Sequence, residues 1–379
     1  MPVFGTRKWV RGAAALGGAV MVLLAAAPGE AAPGARSALQ QEVDAVRASG
    51  VVGVGAEVLT PQGDVTARAG TATAGTGRAM PADGRFRIGS ATKTFTAAVV
   101  LQLVGEGRLS LDDTVEKWLP GVVRGNGNDG RAITVRQLLQ HTSHVPDVAP
   151  LVPALNTAEG YAAGRYRAYT PEQLVALAMT QPRVPGDGWT YSNTNYTLAA
   201  MVIGKVTGRS WAQEVTDRII RPLGLRDTSA PGAFPYVTGP HADAYATFNG
   251  TSVPTDVTVL DPSMAVGSGA LISSTHDLAR FYTALLGGRL LAPAQLAEMT
   301  STVPAPDLQV DYGLGLGRIP LSCGGSYYAH PGELLGYHTW GGVTADGTRS
   351  AVVYATSDGG PDTQAAMSDL VDRELCGVR

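Results

Sequence analysis

Cysteine is almost missing from this chain of 379 residues, which has only Cys323 and Cys376. No CxxC, HExxH or cluster of His and Cys occurs, so zinc chemistry has no ligand set and no metal is expected. Charge is sparse as well. Charged residues make up 16% of the chain, 29 Lys plus Arg stand against 32 Asp plus Glu, and no run of five like charges interrupts them. Without a basic stripe there is nothing to track nucleic-acid phosphates, and no nucleic-acid partner is expected. A hydrophobic content of 44% nevertheless belongs to a globular chain that can bury a sizeable core.

Long uncharged runs are equally rare, and the one at 12–29 follows Arg7, Lys8 and Arg11 and ends in small residues around Gly29-Glu30-Ala31. It is barely long enough to span a bilayer and leads straight into a cleavage-like site, so it reads as a secretory signal peptide cut near Ala31 rather than a membrane anchor. The expected mature chain, 32–379, is secreted, carries no stable membrane anchor, and has no Cys at the cut for lipid attachment. In an oxidising compartment Cys323 and Cys376 read first as a disulfide, with two free buried thiols as the alternative.

Apolar residues Leu39, Val43 and Val46 recur at helical spacing before Gly50. Strand patterns follow at 51–59 and 65–69 around Pro61-Gln62-Gly63. A second strand group lies far away at 313–318, 327–329, 337–343 and 350–357, the last two joined by Asp346-Gly347, and Met367, Leu370, Val371 and Leu375 mark a final helix. Between them the signals are helical: Thr170-Pro171-Glu172-Gln173 is a capping box, and Ser274-Thr275-His276-Asp277 opens a helix running to Leu286. The prediction is an α+β fold. One antiparallel sheet is built from N- and C-terminal segments flanked by helices, and a mostly helical lobe is inserted at roughly 105–300, leaving a cleft where the two meet.

Gly125-Asn126-Gly127-Asn128-Asp129-Gly130 matches the dinucleotide GxGxxG pattern letter for letter, but no strand leads in and no helix opens at its third glycine. It reads as a surface turn.

Lysine is the scarcity that points to chemistry. The chain has Lys8, Lys93, Lys117 and Lys205 and otherwise uses Arg for positive charge. Arg cannot release its proton in a protein, whereas a buried Lys can be depressed toward neutrality, so a position that needs a basic amine must keep Lys. Ser90 precedes Lys93 by one helical turn, and Val99, Val100, Leu103 and Val104 carry the helix onward. The Lys93 amine can then take the Ser90 proton as the hydroxyl attacks a carbonyl, with the Ser90 backbone N–H open to an oxyanion. On this tetrad alone, a Ser cap followed by a solvated Lys remains open.

Two further elements occur once each, Tyr191-Ser192-Asn193 and His330-Pro331-Gly332. Together with Ser90 to Lys93, and with the flanking runs RFRIGSATKTFTAAVVLQLVGEGRLSLDD, ITVRQLLQHTS, TYSNTNY and ISSTHDLARFYTALLGG, they resemble the penicillin-recognising serine hydrolases. That family includes class C β-lactamases, serine DD-peptidases and related esterases. Within it the likeness is greatest to secreted D-alanyl-D-alanine carboxypeptidases of Streptomyces type, in which paired C-terminal cysteines are also seen. The resemblance implies a β-lactamase/transpeptidase-like fold, no cofactor, peptidoglycan stem peptides or other small acyl donors as substrates, and β-lactams as inhibitors or substrates. A monomer is expected.

The roles it implies are Ser90 as acylated nucleophile, Lys93 as its proton-transfer partner, Tyr191 as general acid/base and Asn193 as a positioning amide. His330 would open the strand lining the cleft. Gly332 would leave room for substrate, and the Glu333 backbone N–H would complete an oxyanion site with that of Ser90. Two departures bear on specificity. Pro331 and Glu333 stand where the DD-peptidases carry Thr, and an acid facing the cleft would repel a substrate carboxylate. The strand Arg that helps capture that carboxylate is replaced by Gly317, with Arg318 beside it as a substitute. His144 follows HTS where Gly is expected. The expected activity is therefore a D-Ala-D-Ala carboxypeptidase; the alternatives are an esterase, β-lactamase or D-amino-acid peptidase with the same machinery, or a non-catalytic penicillin-binding sensor.

Overall fold

Period-two patterning at both ends of the chain resolves into one sheet. The computed structural model describes residues 33–248 and 253–377, and the stretch read as a signal peptide, 1–31, lies outside them. The strands are β1 (Gly53–Thr60), β2 (Gly63–Gly70), β3 (Val303–Ala305), β4 (Val310–Tyr312), β5 (Gly317–Pro320), β6 (Ser326–Ala329), β7 (Gly332–Leu334), β8 (Tyr337–Thr344) and β9 (Ser350–Ala355). They run in the order β2-β1-β9-β8-β6-β5-β4-β3, with β7 paired to β8 and every ladder antiparallel. The chain ends are joined at the β1–β9 seam, from Val54↔Ala355 to Leu59↔Ser350.

The helices that frame the site are α1 (Pro33–Ala48), α2 (Thr92–Gly105), α3 (Val135–Gln140), α4 (Pro171–Ala178), α5 (Asn193–Thr207), α6 (Thr275–Leu286) and α7 (Thr363–Cys376). Val54, Ala56, Val58 and Val353 cover one sheet face, where Leu39 and Val43 of α1 and Met367 and Leu370 of α7 seal them from water. The other face carries the larger core, which continues into the helical lobe around α2. The capping boxes at Thr170/Gln173 and Thr134/Gln137 start α4 and α3, and Ser274 accepts from the Asp277 backbone to start α6. Cys323 and Cys376 are bonded, tying the β5–β6 turn to the end of α7.

One expected strand is corrected. The run at 313–318 alternates Gly with Leu, but extended pairing begins only at Gly317. Gly315 has φ +81°, and Leu314 and Leu316 both enter the main core instead of pointing to opposite faces. Glycine is required there, since a Cβ on Gly315 would lie 2.6 Å from that of Ala97 on α2. The GxGxxG run is a small hairpin: Arg124–Gly125 pairs Asn128–Asp129 across exposed Asn126 and Gly127, both at positive φ.

Candidate active site

Ser90 sits in a 3₁₀ turn, Gly89–Ala91, that leads into α2. The turn meets β7 backbone to backbone. A Cβ on Gly89 would lie 2.5 Å from the Glu333 nitrogen, and one on Gly332 would lie 2.0 Å from the Ile88 oxygen, so both positions exclude side chains. The Ser90 hydroxyl does not cap the helix; it accepts from Lys93 Nζ at 3.0 Å and from the Tyr191 hydroxyl at 2.8 Å.

Lys93 is fully buried because α2 is enclosed on every side from Thr92 to Leu101. Its Nζ also donates to Asn193 Oδ1 at 2.8 Å and to the Ser268 carbonyl at 3.1 Å. Burial lowers its pKa to about 7, against the opposing pull of Asp147. A neutral amine keeps two N–H bonds. With Asn193 Oδ1 and Ser268 O as acceptors for them, loss of the proton that the ammonium shares with Ser90 leaves a lone pair there, and the Ser90 hydroxyl becomes the donor.

Tyr191 immediately precedes Ser192, the N-cap of α5, and Asn193 opens that helix. Burial raises the Tyr191 phenol above its ordinary value, and the nearby Asp147 charge acts in the same direction. The phenol therefore stays protonated and donates to Ser90. Asp147 accepts from the Asn193 backbone at 2.9 Å and from its Nδ2 at 3.2 Å, which turns Oδ1 toward Lys93.

His330 does not open a strand: it stands in the break between β6 and β7, buried, with Nδ1 donating to the Pro331 oxygen at 2.6 Å. Burial first, and then the Lys93 charge, lower its pKa to about 3, so the imidazole is neutral. Glu333 is 62% exposed at the cleft mouth, with one oxygen 4.0 Å from His338 Nδ1. Arg318 is a correction. Gly317 and Ile319 line the cavity, so strand alternation turns Arg318 to the opposite face, where it pairs with Asp311 at 2.6 Å. It therefore cannot replace the missing arginine.

The cavity over Ser90 has a volume of about 530 Å³. It is lined by Tyr191, His330, Pro331 and Gly332, by an apolar wall of Leu308, Val310, Ile319, Trp340 and Met367, and by the acidic Asp307 and Glu333. Among the described residues neither Lys nor Arg lines it. The one trio of His and acidic side chains among the described residues whose donor atoms lie within 4.8 Å of one another, Glu57, Asp64 and His276, stands outside the cavity, with His276 Nδ1 bonded to Glu57 at 2.7 Å.

Sequence reasoning missed Asp147, Ser268 and His141. Asp147 and Ser268 are 46 or more residues from their partners in the chain, and no spacing signals such contacts. His141 stands in the run ITVRQLLQHTS, with nothing in the sequence to tie its imidazole to the Tyr191 segment. His144 has φ +61°, so this position takes the left-handed conformation that favours the glycine expected there.

The family model for beta-lactamase matches residues 36–374. Penicillin-binding protein 4* of Bacillus subtilis is 29% identical over 276 residues, which are 69% of this chain and 58% of the relative. This chain thus spans less than two thirds of that relative's length. A D-stereospecific amidohydrolase from Streptomyces sp. superposes with a TM-score of 0.83 at 44% identity, covering 91% of this chain and 99% of that one. A D-amino acid amidase from Ochrobactrum anthropi SV3, solved with L-phenylalanine amide, gives 0.78 at 26% identity over 89% and 97%. With the match running from α1 to α7 and Ser90, Lys93 and Tyr191 converging on one hydroxyl, the chain belongs to the β-lactamase family of penicillin-recognising serine hydrolases.

Proposed function

We propose that this chain is an exported serine amidohydrolase that cleaves amides or short peptides of D-amino acids through an acyl-Ser90 intermediate. The observation that carries this reading is the charge of the cavity: Asp307 and Glu333 line it, and among the described residues no Lys or Arg does. A substrate ending in a free carboxylate meets no cation there, whereas an amide with a free ammonium and an apolar side chain matches both the acid and the wall. The two amidase-type structures support the same reading. Export rests on the basic and uncharged N-terminal run and on the disulfide.

In the reaction, Ser90 Oγ bonds to the substrate carbonyl carbon and its proton passes to the neutral Lys93 amine. The oxyanion accepts from the backbone N–H groups of Ser90 and Glu333. Tyr191 gives its proton to the departing nitrogen, the C–N bond breaks, and the proton held on Lys93, whose Nζ lies 4.7 Å from the Tyr191 ring centroid, passes to the phenolate and leaves the amine neutral again. Water then attacks the ester by the same path in reverse, releasing the acid and restoring Ser90.

The D-Ala-D-Ala carboxypeptidase reading uses the same machinery and draws support from the penicillin-binding relative. The two are separated by comparing ammonia release from D- and L-phenylalanine amide with D-Ala release from diacetyl-lysyl-D-Ala-D-Ala, each beside Ser90→Ala. The proposal expects D-selective ammonia release as the faster reaction. Faster release of D-Ala would move the assignment to the carboxypeptidase.

A further inference from the structure

The run 133–143, part of the family likeness, takes no part in the chemistry above. We propose that His141, at the end of α3, is the positioning residue that holds Tyr191 against Ser90. This rests on the reading of Tyr191 as the proton relay.

His141 grips the chain on both sides of Tyr191. Its carbonyl accepts from the Thr190 backbone at 2.8 Å, and its Nδ1 accepts from the Ser192 backbone at 3.2 Å. The imidazole packs on the Tyr191 ring itself, with centroids 4.4 Å apart and planes 30° from parallel. Backbone before, backbone after and ring face are thus all fixed by one residue. Asn195 steadies the clamp: its Nδ2 reaches His141 Nδ1 at 3.1 Å, while its Oδ1 accepts from Ser143 at 2.6 Å.

The tautomer follows from the partners. Nδ1 accepts, so the imidazole proton is on Nε2, which has no hydrogen-bond partner among the described residues. His141 is fully buried and walled by Trp189, Tyr196 and Tyr312. Burial, with the Lys93 charge, holds its pKa well below the usual imidazole value, so the acceptor is present throughout the working range of Lys93.

The backbone gives independent support. His141 closes α3 in the left-handed conformation, φ +60° and ψ +37°, where glycine is the usual and least strained choice. A large ring kept in a strained, fully buried cap position, and engaged with the segment that carries Tyr191, is accounted for by what the ring does there.

The test compares His141→Asn with His141→Leu. Asn tolerates the left-handed backbone and presents Oδ1 where Nδ1 was; Leu fills space without an acceptor. The readouts are kcat and KM on D-phenylalanine p-nitroanilide, and the acylation rate with fluorescent penicillin per folded molecule. His141→Leu is expected to lose about 100-fold in kcat and acylation with KM within about 3-fold, the scale of a misplaced catalytic group. His141→Asn is expected to stay within about 5-fold of wild type. Equal losses in both variants, or no loss in folded His141→Leu, overturn the proposal. Should His141→Leu fail to fold, nitrogen NMR of the wild-type imidazoles decides: a proton on Nδ1 of His141 overturns it, and one on Nε2 supports it. A wild type that is labelled by penicillin but turns over no D-amino-acid amide would count against the proposed function and leave the clamp readable through acylation.

Discussion

Lys93 shows how a single side chain is shaped by what surrounds it. Its ammonium is buried at the heart of α2, and that burial brings its pKa to about 7. The sign of the pH dependence follows: the base is the deprotonated amine, so kcat/KM rises with pH through a limb near 7. The imidazoles of His141 and His330 are already neutral there and add no limb of their own. Lys93→Arg keeps the charge and removes the base; a loss of at least about 100-fold in acylation is expected, read by stopped-flow labelling with penicillin. This residue was legible in the sequence because it is one of only four lysines in a chain that otherwise uses arginine, and it follows Ser90 by one turn. Asp147 and Ser268 were not legible, since their contacts with Asn193 and Lys93 are made by tertiary packing between distant segments.

At the scale of elements, the site depends on β7 pressing against the turn before α2. The glycines at 89 and 332 permit that approach, and the atoms they face belong to backbone, which cannot rotate aside. Gly332→Ala is therefore expected to drive β7 away from Ser90 and cost about 100-fold in acylation, while β7 is short enough for the rest of the sheet to hold. Measuring acylation beside circular dichroism separates displacement from unfolding. Hairpins and capped helices were readable because turn residues and capping oxygens act locally, as at Pro61-Gln62-Gly63 and Thr170. The Gly-Leu run at 313–316 misled for the opposite reason. Its alternation is that of a strand, but the conformation is set by contact with α2, which no local pattern encodes.

The fold closes on itself through the β1–β9 seam, so the strands within 53–70 and 303–355 form one layer and the helical lobe between them is held at both ends. The strand groups at either end already implied this topology, because neither can bury both faces alone. The bond between Cys323 and Cys376 spans 53 residues of the C-terminal third. Removing it by Cys323→Ser with Cys376→Ser is expected to cost up to about 4 kcal/mol by the chain-entropy relation, seen as a lower thermal midpoint. Turnover per titrated site should be unchanged, since neither cysteine lines the cavity.

The most direct test of the central claim is acid-quench mass spectrometry of the protein mixed with D-phenylalanine amide, followed by peptide mapping. The account predicts a D-phenylalanyl ester on Ser90, formed faster than with the L-amide and absent in Ser90→Ala. Amide turnover that persists in Ser90→Ala, or an acyl group mapped to another residue, would contradict it.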